Sequence, residues 1–367
     1  MAKKIMIAGF GSAGGFVLDY LVRTPGIEKH EIIIATRSIA EAGPRVNTTA
    51  IAGGIAGSYP KLSLVACDLN DIDSTASLLS AIRPDIIAYT GRFIKGVKYG
   101  QFSYPNGIGY GAWIPLSLPL IYALMKAVKK SGIDTKVINS SFPDGVCPAL
   151  ASSGLAPFCG AGNLNHLIPR IKTGLADRFR VRPSEIDVTM IGSHFLNTYV
   201  SRDASAMGSP YYMNCIIGGK RVTSLSDEEI FRLSIRETVS GPQRNAMIAS
   251  DIVEIIKALL DGSGSFIHVP GPNGLPGGYP CRVYRDRIEL ALPEGMSEGD
   301  AVAINKSSLA FDGIEDTTAG SIVFTDDIRK KMKTVFGLDY PKKLALEDCE
   351  NFAIGLRDVL LARASGK

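Results

Sequence analysis

The chain has 367 residues, 46% hydrophobic and 21% charged, an ordinary globular composition with enough apolar material for a large core and two domains. Forty basic against 36 acidic residues leave a net charge of +4, which gives no electrostatic footprint for nucleic acid or an anionic membrane but is compatible with a small anionic ligand. The six cysteines are scattered without a CxxC pair, which argues against a disulfide framework and for a reducing, cytoplasmic setting.

The opening "MAKKIMIAGFG" joins two lysines to a five-residue apolar run that passes straight into glycines. It reads as a first β-strand, residues 4–8, rather than a secretory signal. Next come a helix over 14–24, strands at 31–35 and 62–67, a helix over 72–82, a strand at 85–89, a helix over 116–131 and a strand at 136–140. Such alternation predicts a doubly wound, Rossmann-type parallel sheet with helices on both faces. The most apolar later segment, residues 113–128, carries Pro115, Pro119 and Lys126, and reads as a buried helix with a proline-rich entry, not a membrane span.

The texture changes near residue 145, so a sheet domain is expected over 1–145 and an α+β domain over 146–367. The second part predicts a helix over 163–179, a strand at 186–191, and a hairpin (211–217 with 221–223) turned at Gly218-Gly219. A capping box, Ser226-Asp-Glu-Glu229, opens a helix. A long amphipathic helix over 245–260 stops at Asp261-Gly262. A Pro/Gly-rich loop (270–278), a β-ribbon (281–292) and a last helix (344–363) complete the reading.

Gly9-Phe10-Gly11-Ser12-Ala13-Gly14 is a GxGxxG placed directly after the first strand and opening a helix. That setting lets a pyrophosphate approach backbone N–H groups at the helix N-terminus. The second strand ends Ala35-Thr36-Arg37-Ser38, without the acid that accepts from the ribose 2′-hydroxyl of NAD. Arg37 offers a fork of donors suited to phosphate, with Thr36 and Ser38 beside it, so NADP(H) is expected over NAD(H). Thr90 and Gly91, ending the fourth strand, complete the expected cofactor contacts.

The stretches "ATRS" and "CDLND" are similar to those of saccharopine-dehydrogenase-type and extended short-chain reductases, which implies that Asp68 lies near the adenine. Tyr122 and Lys126 form a YxxxK, but Asn139-Ser140-Ser141 follows it instead of preceding it, so it reads as a helix face. From Phe158 to Thr198 the chain resembles the lactate/malate dehydrogenase superfamily. Gly160-Ala-Gly162-Asn-Leu164-Asn165 stands where that family has a glycine turn and its acid, and Ile191-Gly-Ser-His194 where a strand delivers its histidine. The resemblance extends weakly to Gly241-Pro-Gln243-Arg244, to Asp312-Gly-Ile-Glu315 and to Phe324-Thr-Asp-Asp327.

The resemblance implies an NAD(P)-dependent dehydrogenase or reductase, a homodimer or homotetramer, acting on a small-molecule substrate. In it His194 is the general acid/base, Asn165 its orienting partner and Asn139 a substrate contact. Histidine suits the role because it titrates near neutrality. Two departures bear on the substrate. Asn165 brings no negative charge, so His194 is expected to protonate less easily, and Ile168 stands where the family's carboxylate-clamping arginine would be, with Arg170 two residues out of register. Arg92 and Lys95, in a loop expected to close as a lid, and Gln243 and Arg244 on a far wall are the replacement candidates. The stretch 101–111 is expected to be mobile. His166 is a second histidine candidate, while His30 and His268 read as surface or strand residues.

Two other readings stay open. Cys159 with His194 makes half of the metal site of NAD-dependent glycosidases of this fold, although two ligands do not specify a metal and none is assigned here. A non-catalytic NADP(H)-sensing regulator would also fit the neutral Asn165.

Overall fold

The computed structural model describes residues 2–94, 100–142 and 144–364. Its first half follows the expected alternation: β1 (Lys4–Ala8), α1 (Ser12–Leu21), β2 (Glu31–Thr36), α2 (Ile39–Ile55), β3 (Lys61–Ala66), α3 (Ile72–Ile82) and β4 (Ile86–Tyr89). Next come α4 (Gly100–Asn106), α5 (Ile114–Ser131), β5 (Lys136–Asn139), α6 (Val146–Ala151) and β6 (Cys159–Gly160). The six strands pair in parallel in the order β3-β2-β1-β4-β5-β6, the doubly wound arrangement whose strand order reverses at β1/β4. Side chains alternate between two cores. Met6, Ala8, Ile33, Ile87 and Tyr89 face one layer, and Ile5, Ile7, Ile32, Ile34, Ile86 and Ala88 face the other.

The remainder contains α7 (Ile168–Phe179), β7 (Ile186–Ile191), α8 (His194–Asp203), β8 (Tyr212–Ile217), β9 (Lys220–Arg221), α9 (Asp227–Ser234) and α10 (Asn245–Asp261). After these come β10 (Ser263–Pro270), β11 (Gly278–Tyr284), β12 (Ile288–Leu290), α11 (Glu298–Ser308), β13 (Ile314–Thr318), β14 (Ser321–Phe324), α12 (Asp326–Phe336), β15 (Lys343–Ala345) and α13 (Cys349–Ala364). The strands form three antiparallel three-stranded sheets, β7-β8-β9, β10-β11-β12 and β13-β14-β15. This is the α+β complement the sequence predicts, with the hairpin and the Ser226/Glu229 capping box in place.

The two halves are not independent layers. β6 extends the parallel sheet to Gly160, beyond the expected boundary at 145. α10 packs on α1 and α13 on α5, so helices from the second half cover both faces of the first. One helical stretch, Tyr110–Ser131, is long and apolar enough to cross a membrane, yet 72% of its apolar window is buried inside the protein. It is the core helix expected from its sequence. Tyr122 on it packs against the core, and Lys126 lies 5.0 Å over the Tyr122 ring, so the YxxxK is a helix face.

Candidate functional site

The glycine turn is built on backbone contacts. Gly9 N–H donates to the Ala35 carbonyl at 3.0 Å and Thr90 N–H to that of Ala8 at 2.9 Å, tying the ends of β1, β2 and β4 together. Thr90 Oγ1 donates to the Gly9 carbonyl. Gly9 sits at φ +91°, where a Cβ would come within 2.7 Å of Gly91, and a Cβ on Gly14 would lie 2.6 Å from the Gly9 carbonyl. Both positions therefore require glycine for close approach and, at Gly9, for a left-handed backbone. Gly11 differs: a Cβ there meets no atom within 4 Å, and the first turn of α1 carries no side-chain cap. The start of α1 thus borders an open cleft, the arrangement a phosphate needs.

Two clefts flank this turn. One of about 480 Å³ is lined by Phe10, Gly11, Ser12, Thr36, Ser38 and Gln243 among others, with Ser12 Oγ donating to the Pro242 carbonyl at 3.3 Å. Gln243 thus faces the glycine turn. The other, about 300 Å³, brings Arg37 and Asp68 together beside the start of α3. Arg37 is exposed there, while Ser38 Oγ caps α2 by accepting the Glu41 N–H at 3.3 Å. Asp68 accepts from the Asn70 backbone and side chain, both at 3.1 Å.

The second cluster surrounds His194. β7 ends at Ile191, Ser193 caps α8 by accepting the Leu196 N–H at 3.2 Å, and His194 is the first residue of that helix. Its ring lies edge-on to Tyr110 at 5.1 Å and tilted against Phe142 at 5.4 Å. Its Nδ1 is sealed from solvent without a partner. Burial, with the like charges of His166 and Arg244, pushes the imidazole down to about 4, and the positive end of the α8 dipole acts in the same direction. The reduced basicity expected from Asn165 is therefore found, but for a different reason.

Asn165 is not the partner of His194. Its side-chain amide donates to Asp251 Oδ1, and Gly162 N–H donates to Asp251 Oδ2, so this carboxylate of α10 pins the 162–165 turn. Burial pushes Asp251 up to about 7. The group that meets His194 is Asp144, whose Oδ2 accepts the His194 backbone N–H at 2.5 Å. Asn163 Nδ2 donates to both Asp144 oxygens, at 2.9 and 3.0 Å, from a backbone at φ +56°. Asp312 is buried close by and accepts the Tyr110 N–H at 3.1 Å.

Other expected residues are engaged elsewhere. Asn139 is fully buried at the end of β5, where Oδ1 accepts the Ser141 N–H at 2.9 Å and Nδ2 faces the Cys147 sulfur at 3.6 Å. Arg170 donates to the Arg236 carbonyl at 2.6 Å. His166 keeps Nε2 buried and unpartnered, and burial with the charges of Arg244 and Arg170 pushes it down to about 4. Arg244 thus bears electrostatically on both site histidines and on Tyr110. Arg92 is exposed on the loop after β4, and Lys95 lies outside the described residues. His30 accepts the Lys3 N–H at 3.0 Å, and His268, a strand residue, accepts the buried Met190 N–H at 3.1 Å.

Among the described residues no three His, Cys, Asp or Glu side chains converge as a metal site; Cys159 is fully buried and burial raises its thiol. The stretch expected to be mobile folds as α4 and a 3₁₀ turn over Tyr110–Trp113. α4 is clasped by the far end of α8, where Tyr104 donates to Asp203 Oδ1 at 2.7 Å and the Arg202 guanidinium stacks 3.9 Å from the Tyr104 ring.

No protein-family model matches the chain, and no curated protein matches it in sequence. Its fold does match solved structures. Lactate dehydrogenase from Cryptosporidium parvum, solved with lactic acid and nicotinamide adenine dinucleotide, superposes with a TM-score of 0.60 at 16% identity, covering 85% of this chain and 98% of that one. Malate dehydrogenase of the same organism gives 0.59 at 15% identity over 85% and 97%. Malate dehydrogenase from Aeropyrum pernix gives 0.59 at 15% identity over 86% and 98%. The chain has the lactate/malate dehydrogenase fold over most of its length, with a parallel nucleotide-binding-type sheet and antiparallel sheets after it.

Proposed function

We propose that this protein is a nicotinamide-dinucleotide-dependent oxidoreductase that prefers NADP(H) and acts at a C–O centre, or a C–N centre, of a small polar molecule. The observation that carries this reading is the glycine turn: backbone closely packed at Gly9 and Gly14, open at Gly11, over a helix start with no side-chain cap. Gly9, Phe10, Gly11, Ser12, Ala13 and Gly14 would hold the pyrophosphate, with Thr36, Ser38, Thr90 and Gly91 bordering it and Asp68 toward the adenine. A nicotinamide held there supplies a hydride donor or acceptor. The lactate and malate dehydrogenases that share this fold support the same chemistry.

The preference for NADP(H) rests on Arg37, exposed at the end of β2 in a cleft it shares with Asp68 and Asp71, and on the lack of an acid in the Thr36–Ser38 turn itself. His194, neutral at physiological pH, accepts the hydrogen bond of the substrate O–H or N–H, in the acid/base position the resemblance gives it, and Arg244 supplies positive charge on the same side. The absence of an arginine at position 168 separates this site from 2-hydroxy-acid recognition. The six free cysteines suit a cytoplasmic protein. The exposed Ile51, Ile55 and Tyr59 along and just beyond α2 support a homo-oligomer.

Titrating the protein with NADPH and with NADH, followed by nicotinamide fluorescence, tests the reading. Tighter binding of NADPH is expected, and no binding of either would overturn it. Turnover is then sought by NADPH oxidation against small aldehydes, ketones and imines.

A further inference from the structure

We propose that Asp144 is a second proton-exchanging group of this site, acting beside His194 on the substrate heteroatom. The inference rests on the oxidoreductase reading above and assigns a residue that neither the motif nor the fold points to. Asp144 lies on the loop after β5, at the carboxyl edge of the sheet, and remains partly accessible while its carboxylate is held from two sides. The His194 N–H and the Asn163 amide fix its orientation, so the carboxylate and the imidazole are attached to adjoining points of one rigid frame.

Around it the structure leaves polar capacity unused. Asn163 is 6% exposed, yet its Oδ1 is buried without a partner, and His194 Nδ1 and His166 Nε2 are likewise sealed and unpaired. Buried polar atoms normally find partners, and two orphans sit on the very residues that hold the Asp144 carboxylate, Asn163 and His194, leaving acceptors for a ligand's donors. The charged and titratable groups facing Asp144 are Asp312 from the turn before β13, Cys147 from α6, Tyr279 from β11 and His194 itself. None is a cation.

Burial, opposed by the hydrogen bonds from the His194 N–H and Asn163, pushes the carboxyl of Asp144 up to about 7, and that of Asp312 up to about 8 with Asp144 contributing. A group near 7 both gives and takes a proton at neutral pH, whereas the His194 imidazole, down at about 4, does not give one. When an alcohol is oxidised, its O–H bond breaks and the proton forms a new O–H bond on the Asp144 carboxylate. The C–H electron pair leaves as hydride to the oxidised nicotinamide that the reading above invokes, and the C=O bond forms. In reduction the carboxylic acid returns that proton to the oxygen.

The test is infrared difference titration of the carboxyl C=O band in the full-length protein, with Asp144→Asn compared with wild type. Asp144→Asn keeps an acceptor for the His194 N–H. Asp251 and Asp312 also titrate near neutral pH, so the expected result is a difference: one carboxylic-acid component titrating near pH 7 in wild type is lost from Asp144→Asn, while those of Asp251 and Asp312 remain. Carbon-13 aspartate NMR of the wild type gives the same midpoint should the Asn variant fail to fold. No carboxyl at Asp144 titrating above about pH 5.5 overturns the inference. NADPH binding is measured on the same samples: binding with an ordinary Asp144 titration sinks this inference alone, and absence of binding sinks the oxidoreductase reading with it. On any carbonyl compound the wild type reduces, Asp144→Asn is expected to lower turnover by about 10²–10⁴-fold at unchanged NADPH affinity. Unchanged turnover overturns the inference.

Discussion

The glycine turn and the His194 pocket are held together by opposite means. Around Gly9 the links are backbone to backbone through Ala35, Ala8 and Thr90, with the Thr90 hydroxyl adding one side-chain bond, and no ionisable side chain takes part. Around His194 the links run through ionisable or amide side chains, Asp144, Asp251, Asp312 and Asn163, shut in at considerable electrostatic cost. A neutral, close-packed cradle can accept a charged ligand without answering to pH. A pocket of confined titratable groups is pH-sensitive by construction, and it is there that a proton can be moved.

The comparison is broken most severely at the cradle. Gly9→Val places a branched side chain at φ +91° against Gly91, and NADPH binding is expected to fall by more than about 100-fold with a clear loss of thermal stability. Arg37→Ala sharpens it next: losing a charge-assisted contact worth about 1.5–3 kcal/mol should weaken NADPH by roughly 10–100-fold while NADH changes less than about twofold. Equal losses for both would remove Arg37 as the reader of the 2′-phosphate.

In the pocket, Asp251→Asn tests pH dependence. The folded state raises the Asp251 carboxyl from 3.8 to about 7, so its contribution to stability is full below about pH 4 and is lost as pH rises through about 7. His166 and His194 run the other way: lowered from 6.5 to about 4, they contribute fully above about pH 6.5 and lose that as pH falls through about 4. Urea melts of Asp251→Asn should therefore decline less between pH 4 and about 8 than those of wild type, and a parallel decline would count against the assignment. The smallest effect is expected from Tyr104→Phe, which removes one exposed hydrogen bond worth about 0.5–1.5 kcal/mol. Proteolysis near α4 should quicken while the melting temperature barely moves.

Much of the cradle is legible in the sequence because close backbone approach leaves glycines behind, and strands buried on both faces leave unbroken apolar runs such as Ile32-Ile33-Ile34. The helix α2 is not, since Gly43, Pro44, Gly53 and Gly54 all speak against one. It forms because Ser38 caps it and Arg45 and Thr49 bond Asp19 of α1. Residues 263–270, 298–308 and 314–336 also went unassigned. Ser297 with Asp300 was a readable capping box for α11, and Thr325 ahead of Asp326-Asp327 a readable start for α12.

The pocket's partners are hidden by distance along the chain. Asp144 meets His194 from 50 residues away, Gly162 meets Asp251 across 89, and Tyr110 meets Asp312 across 202. One signal was available: Asp251 is a lone carboxylate on the apolar face of α10, beside Ile252 and Ile255, where an unpaired acid has no reason to be. Asn165 is expected on a helix over 163–179 but lies in a 3₁₀ turn, Asn163–His166, ahead of α7, and its amide meets Asp251 because position alone does not say which way an amide points.

α8 has ten residues, which at about 1.5 Å each makes a stiff rod of about 15 Å. One tip bears the imidazole, and the other grips the aromatic ring of α4 through Arg202 and Asp203. A lever of that stiffness does not let its two ends move separately. The imidazole and the grip on Tyr104 therefore share one rigid mount, and a shift of α4 that carries Arg202 and Asp203 with it shifts the ring as well.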